Sequence, residues 1–176
     1  MGVDIKNSAQ NTIVRGVGLY GLYAENPTFD FGNSGTSVRL LAGLLSSQKF
    51  NSKLVGDESL MRRPMSRIIN PLEKIGAFFY PKDTKTLPYT IEGTTLPLAQ
   101  NYIENIGSAQ VKSSLLAAFL NTPGKSTIEE KKISRNHTEI LLKNILADIK
   151  IQKIKKGNLI SLVGKKNLHS FSYTVG

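Results

Sequence analysis

The spacing of apolar residues along the chain predicts alternating helices and strands. Apolar residues recur at helical spacing in four segments, residues 36–47, 61–75, 109–120 and 136–147. Shorter apolar or alternating runs predict strands at residues 50–55, 77–80, 89–92, 101–104, 126–129, 149–154 and 159–163. The first and third helices are apolar on most faces, so we expect them to be buried. Pro64 falls near the start of the second helix, where proline is tolerated, and Asn136 followed by Glu139 predicts a capped start for the fourth.

Three segments of the sequence resemble one another: MGVDIKNSAQNTIVRGVG, IGAFFYPKDTKTLPYTIEG and LADIKIQKIKKGNLISLVG. Each predicts a strand, a polar turn and a second strand that ends in glycine. The second and third follow two predicted helices each, so the repeating unit is β-α-β-α-β-β. It occurs twice in full, at about residues 28–97 and 98–164, and residues 1–27 are the tail of a third copy. We expect an α+β fold with pseudo-threefold packing, helices inside and sheets outside, and we interpret residues 1–176 as one truncated domain of a longer protein.

Composition narrows the function classes. The 176 residues carry a formal net charge of +10, which indicates anionic partners. The chain has no cysteine, which excludes disulfides and thiolate metal sites, and no histidine spacing predicts a metal, so we expect neither metal nor cofactor. The apolar runs are too short to cross a bilayer, and the polar N-terminus lacks a signal-peptide core. We expect the densest basic cluster to be a solvent-exposed strand face; it comprises Lys150, Lys153, Lys155 and Lys156.

Polar clusters lie at or just before four of the predicted helix starts. They are Asn33, Ser34, Gly35 and Thr36 with Arg39; Asp57, Glu58, Arg62 and Arg63; Ser108, Gln110 and Lys112; and Ser134, Arg135 and His137. Each cluster alone is also typical of a turn, a helix cap or surface charge, and His137 alone favours a cap-region side chain over a base or metal ligand. The repeat would bring the helix starts to one face of the domain. That face would hold Arg39, Arg63 and Arg135, and so we predict there a site for a small polyanion that carries hydroxyl groups.

Four motifs, in this order, closely resemble the EPSP synthases of the enolpyruvyl transferase family: DFGNSGTSVRLLAGLL, GDESLMRRPMSRIINPLEKIGA, SAQVKSSLLAAFLNTPG and SRNHTEILL. The resemblance extends over nearly the whole chain. It implies a two-domain cytoplasmic enzyme, monomeric at full length, with three β-α-β-α-β-β units in each domain. Such an enzyme joins the enolpyruvyl group of phosphoenolpyruvate to the 5-hydroxyl of shikimate 3-phosphate and releases phosphate, a step towards chorismate and the aromatic amino acids. It implies neither nucleic acid nor membrane as a partner.

The resemblance also implies roles for individual residues. Those expected to contact phosphoenolpyruvate are Asn33, Gly35, Thr36, Arg63 and Gln110. Those expected to contact shikimate 3-phosphate are Ser108, Ala109, Gln110, Ser134 and Arg135. Arg39 is expected to support the site, and His137 stands where some relatives have a substrate-contacting tyrosine. The family's early Lys-Ser pair and the catalytic Asp, Lys and Arg of its other domain have no counterparts in this sequence, so the resemblance implies binding residues only and no turnover by this chain alone.

Two other interpretations stay open at this point. The chain could be a basic module that binds nucleic acid or another partner, or a structural repeat protein that keeps only the fold. Titration with shikimate 3-phosphate and with a single-stranded oligonucleotide distinguishes the enzyme fragment from the basic module.

Overall fold

The structure of the protein is a computed structural model that describes residues 1–174. Within these residues, the strands form a short hairpin and two four-stranded sheets. The hairpin pairs β1 (Asp4–Asn7) with β2 (Thr12–Arg15). The first sheet has the order β3-β4-β6-β5, with β3 (Thr28–Asp30), β4 (Asn51–Val55), β5 (Phe78–Tyr80) and β6 (Tyr89–Glu92). The second has the order β7-β8-β10-β9, with β7 (Asn101–Glu104), β8 (Lys125–Glu130), β9 (Asp148–Lys153) and β10 (Asn158–Val163).

The two sheets have the same topology. In each, the first two strands pair in parallel and the other pairings are antiparallel. A buried helix joins the parallel strands, as their geometry requires. The helices are α1 (Gly35–Leu45), α2 (Glu58–Met61), α3 (Ser66–Ile75), α4 (Ala109–Phe119) and α5 (His137–Asn144). The predicted α+β class and the repeated β-α-β-α-β-β order are therefore confirmed, whereas packing about a pseudo-threefold axis stays a prediction.

The two central helices α1 and α4 pack against each other, as their apolar character predicts. Their inward faces are almost completely inaccessible to solvent and include Val38, Ala42, Leu45, Val111, Leu115, Leu116 and Phe119. The sheets add alternate residues such as Leu54, Ile91, Ile128 and Ile160 to the same core. The helix starts that hold the polar clusters are fixed by this packing.

The glycine that closes each unit fits against the end of the central helix of that unit. A Cβ added at Gly93 would lie 2.3 Å from the carbonyl oxygen of Gln48, and one at Gly164 would lie 2.1 Å from that of Thr122. The next residue donates its backbone N–H to the C-cap carbonyl of the helix: Thr94 to Ser46 at 2.9 Å, and Lys165 to Leu120 at 2.8 Å. No residue other than glycine fits this approach without displacing backbone.

The prediction of one continuous helix over residues 61–75 is wrong. The segment contains α2, which ends at Met61, and α3, which begins at Ser66. Pro64 has no N–H to donate and disfavours helical conformation in the residue before it, so the helix is interrupted there. The interruption places Arg63 in the connection between the helices, where its side chain can reach the start of α1.

The predicted capping interaction at Asn136 is also wrong. α5 does begin at His137, but the side chain of Asn136 makes no capping hydrogen bond. Glu139 faces the interior instead of the helix start, and its Oε1 lies 2.7 Å from Nζ of Lys112. The lysine cluster on β9 and the following turn is exposed, as expected. Within residues 1–174, no helix has the length and apolar character needed to cross a membrane.

Candidate functional site

Two guanidinium groups lie over the first residue of α1. The hydroxyl of Ser34 caps the helix by accepting from the N–H of Ser37 at 3.2 Å. A Cβ added at Gly35 would lie 2.9 Å from Nη1 of Arg63 and 3.2 Å from Nη1 of Arg39. The absence of a side chain at Gly35 therefore lets both cations approach the positive end of the helix dipole. Like charges gathered in this way favour an anion between them.

A chain of hydrogen bonds holds Arg63 in place. Its Nη2 donates to Oδ1 of Asn33, and Nδ2 of Asn33 donates to Oδ2 of Asp57 at 2.7 Å. The other carboxylate oxygen of Asp57 caps α2 by accepting from the N–H of Leu60 at 2.8 Å. These bonds, first from Leu60 and then from Asn33, lower the pKa of Asp57. The carboxylate therefore orients Asn33, which in turn orients Arg63.

Arg39 connects the starts of α1 and α4. Its Nη1 donates to Oε1 of Gln110 at 2.8 Å, and Nε2 of Gln110 donates to Oγ1 of Thr36 at 2.9 Å. Burial, followed by the positive charge of Arg63, lowers the pKa of Arg39 from its ordinary 12.5. In the described part of the chain, neither Arg39 nor Arg63 has a carboxylate within 4.0 Å. A bound anion would supply the missing counter-charge.

Side chains of the protein itself accept hydrogen bonds from the backbone N–H groups at the start of α4. The carboxylate of Glu104 accepts from the backbone N–H groups of Ile106 at 3.2 Å, of Gly107, and of Ser108 at 3.1 Å. The hydroxyl of Ser108 accepts from the N–H of Val111 at 3.3 Å. Ser108 is thus a helix cap in this structure, and its predicted contact with a ligand stays a prediction.

A cavity of about 210 Å³ lies where α1, α4 and the start of α5 meet. Five predicted site residues line it, namely Thr36, Ala109, Gln110, Arg135 and His137. The predicted residues Asn33, Gly35 and Arg63 belong to the adjoining start of α1, which Arg39 and Gln110 join to the cavity.

Three further lining residues, Leu40, Ser113 and Thr138, were not predicted. The hydroxyls of Ser113 and Thr138 lie 2.6 Å apart. Ser113 follows Gln110 by three positions on α4, a spacing that places both on one helix face and could have indicated its place beside the cavity. Thr138 comes directly after His137.

Ser134 and Lys112 face inward from this cavity. The backbone N–H and the hydroxyl of Ser134 both donate to Oε1 of Glu130, at 2.8 and 2.6 Å. Nζ of Lys112 donates to the same oxygen at 2.9 Å. Neither Ser134 nor Lys112 lines the cavity, whereas Arg135, the residue after Ser134, does. The predicted ligand contact of Ser134 stays a prediction.

The charge of the cavity favours an anionic ligand. Its only charged or titratable lining residues are Arg135 and His137, and no carboxylate of residues 1–174 lines it. Throughout that described part of the chain, no three His, Asp or Glu side chains come together as metal ligands. The arrangement provides a guanidinium, hydroxyls and an amide, which are donors suited to phosphate and hydroxyl oxygens.

Comparison with known proteins identifies the family of this chain. The family model described as EPSP synthase (3-phosphoshikimate 1-carboxyvinyltransferase) matches residues 1–176. The 3-phosphoshikimate 1-carboxyvinyltransferase of Streptococcus uberis is 43% identical over 176 residues, which are 99% of this chain and 40% of that protein. The protein of the same name from Legionella pneumophila strain Lens is 46% identical over 153 residues, 86% of this chain and 35% of the relative.

A solved structure of EPSP synthase from Acinetobacter baumannii matches with a TM-score of 0.87 and 41% sequence identity. The match covers 96% of this chain and 38% of the solved chain. The chain therefore spans about 40% of the length of the relatives it matches. Because the family model matches every residue and the fold agrees with a solved member, this chain belongs to the EPSP synthase family.

Proposed function

We propose that the protein containing this chain is a 3-phosphoshikimate 1-carboxyvinyltransferase. In the reaction, the 5-hydroxyl oxygen of shikimate 3-phosphate bonds to C2 of phosphoenolpyruvate. The bond between C2 and the phosphate oxygen breaks, phosphate leaves with the bonding electrons, and in the net reaction it carries the proton that the hydroxyl loses. Family membership over the whole chain and the name shared by its relatives support this activity.

The observation that carries the proposal is a pair of adjacent cationic positions joined by one amide. Arg39 and Arg63 lie over Gly35 without a carboxylate partner among residues 1–174, and Arg135 lines the neighbouring cavity. The amide of Gln110 is hydrogen-bonded to Arg39 and Thr36 of α1, and Gln110 also lines the cavity. Two anionic substrates that must react with each other need such neighbouring positions.

The two positions correspond to the two substrates. Phosphoenolpyruvate binds at the start of α1, where the contacts are Asn33, Gly35, Thr36, Arg63 and Gln110. Shikimate 3-phosphate binds in the cavity, where Ala109, Gln110 and Arg135 are accessible; Ser108 and Ser134 reach it by turning their hydroxyls from their present partners. Arg39 supports both by fixing Gln110.

This chain contributes binding, and the groups that transfer protons come from outside its 176 residues. No carboxylate among residues 1–174 lines the cavity, and enolpyruvyl transfer requires a general acid and a general base. We therefore infer that residues 1–176 are a substrate-binding domain of a two-domain, monomeric, cytoplasmic enzyme. Alone, the chain binds shikimate 3-phosphate weakly and does not turn over.

The test measures activity and binding separately. The protein containing this chain and the 176-residue chain alone are each assayed for phosphate release with both substrates, and each substrate is titrated by calorimetry. Release that requires both substrates in the larger protein, with background release from the chain, is the expected result. The same turnover from the chain alone would contradict the division of roles, and no release from either protein would contradict the activity.

The competing function is binding of nucleic acid by a basic surface. It rests on the net charge of +10 and on the exposed lysines Lys150, Lys153, Lys155 and Lys156. None of these lysines lines the cavity. An oligonucleotide that binds in 0.15 M salt while shikimate 3-phosphate does not would favour the basic surface; a structural repeat protein would bind neither.

A further inference from the structure

Three charged side chains meet in the interior behind the cavity. Lys112 of α4, Glu130 at the end of β8 and Glu139 of α5 have side chains that are 1–2% exposed. Nζ of Lys112 lies 2.9 Å from Oε1 of Glu130 and 2.7 Å from Oε1 of Glu139. Within the described part of the chain, Oε2 of Glu139 is buried without a hydrogen-bond partner. One cation thus joins three elements of the fold.

This cluster contacts the connection between β8 and α5 at Ser134. Glu130 ends the strand, and the same Oε1 that binds Lys112 accepts both the N–H and the hydroxyl of Ser134. Burial opposes ionisation of Glu130, but the bonds from Ser134 and Lys112 outweigh it and lower its pKa. The ionised carboxylate therefore holds the segment 131–136 at Ser134, and Arg135 follows directly after the bonded residue.

The energetics favour a role in geometry over a role in stability. Burying three charges costs desolvation that their attraction barely repays, and neutral side chains of similar volume often give equal stability. What such a cluster does provide is one register for the elements it joins. Here those elements carry Gln110 on α4, Arg135 before α5 and His137 on α5, which all line the cavity.

We propose that Lys112 and Glu130 are positioning residues that hold residues 131–136 so that Arg135 faces the cavity. The inference rests on the proposed function for the identity of the ligand, shikimate 3-phosphate. Lys112 and Glu130 contact no substrate; they act through the backbone of Ser134. Glu139 secures the second side of Lys112 and so ties the start of α5 to the same centre.

The test is Glu130→Gln in the protein containing this chain, which preserves shape and removes the charge. In the ligand-free protein, hydrogen exchange at the amide of Ser134 should accelerate by about tenfold or more, because its charged acceptor is gone. The apparent KM for shikimate 3-phosphate should rise about tenfold, while kcat and the KM for phosphoenolpyruvate stay within about threefold.

The matched control is Glu129→Gln on the same strand. Glu129 pairs with the partly exposed Lys131 and does not bond Ser134, so exchange and kinetics should stay within about twofold. If Glu130→Gln does not fold, the combined variant Lys112→Met/Glu130→Gln/Glu139→Gln, which buries no charge, takes its place with the same expected results.

Each outcome decides one question. Unchanged exchange at Ser134 overturns the positioning role whether or not the protein binds substrate. A fall in kcat with unchanged KM for shikimate 3-phosphate also overturns it, since that result would make the cluster part of the chemical step. Accelerated exchange in a protein whose wild type binds no shikimate 3-phosphate would support the loop contact and contradict the proposed function.

Discussion

The starts of α1 and α4 occupy equivalent places in the two units, yet the cations at the two starts are paired differently. At α1, two guanidiniums lie over Gly35, and no carboxylate of the described residues pairs with either. At α4, Glu104 occupies the backbone N–H groups before the helix, and Lys112 is buried between two carboxylates. The cations at the start of α1 have no carboxylate partner among the described residues, whereas the lysine near the start of α4 has two.

The difference shows how one repeated frame provides two kinds of surface. Positive charge held without a partner lowers stability but binds an anion strongly, because the cost of gathering it is met during folding. Charge that is paired internally instead fixes geometry and leaves neutral groups such as Gln110 to face the cavity. Variants at the two helix starts test this contrast.

Removing the paired cation should cost far more stability than removing an unpaired one. Lys112→Met leaves two buried carboxylates without a counter-charge and should lower the free energy of unfolding by about 3–5 kcal/mol. Arg39→Met removes a cation whose neighbour Arg63 repels it and should change that free energy by about 1 kcal/mol or less. Urea denaturation of both variants measures the difference, and equal losses would contradict the contrast.

Arg63 should matter for phosphoenolpyruvate far more than its neighbour in sequence. Arg63→Ala removes a charge-assisted contact and should weaken the apparent affinity for phosphoenolpyruvate by roughly 2–4 kcal/mol. Arg62→Ala is the matched control, since Arg62 is exposed and pairs with Glu58 one helical turn away. Steady-state kinetics with varied phosphoenolpyruvate gives both values; an effect of Arg63→Ala within about threefold would remove Arg63 from the site.

A single methyl group at Gly35 should displace the guanidiniums. Gly35→Ala places a Cβ 2.9 Å from Nη1 of Arg63, so that side chain must shift. We expect the KM for phosphoenolpyruvate to rise about tenfold and the KM for shikimate 3-phosphate to rise less. A tenfold rise corresponds to a loss of about 1.4 kcal/mol of binding free energy, which displacement of one guanidinium can cause. The control is Gly16→Ala, where an added Cβ meets nothing within 4 Å. Equal effects on the two substrates would argue against a local cause.

The smallest expected effect is in the acid range. Because bonds from Ser134 and Lys112 hold the pKa of Glu130 below its ordinary 4.5, the unfolded chain binds this proton more readily. The stabilisation is therefore complete above about pH 4.5 and is lost as the pH falls through the folded pKa. Unfolding free energies measured from pH 6 to pH 3 should fall less steeply for Glu130→Gln than for wild type. Arg39→Met should keep the wild-type slope, because arginine does not titrate there.

Local patterns in the sequence predicted the helices and strands well wherever packing follows local apolar periodicity. The burial of α1 and α4 is an example, since both helices are apolar on most faces. The break at Pro64 was missed because proline is tolerated in the first turn of a helix. The structure shows that the first turn of α3 begins later, at Ser66.

The candidate site was less accessible to such reasoning because its contacts join distant positions. Gln110 bonds to Thr36 across 74 positions, and Lys112 bonds to Glu130 across 18. The resemblance to a family named Gln110 but could not give its partners. The prediction for Glu139 was wrong because a glutamate in the first turn of a helix often caps that helix. Here its carboxylate pairs instead with the buried Lys112 of α4.

The glycines that end each unit have a consequence for how such a protein can be cut and rearranged. Gly93 and Gly164 lie against carbonyl oxygens at the ends of α1 and α4. Each contact therefore joins the central helix, which comes early in its unit, to the glycine at the end of the same unit. A duplicated or transplanted segment keeps this contact only if it carries both halves, from the central helix through the residue after the glycine. A boundary placed between them would separate the sheet from its helix, whereas one placed after Thr94 or Lys165 would leave each unit closed.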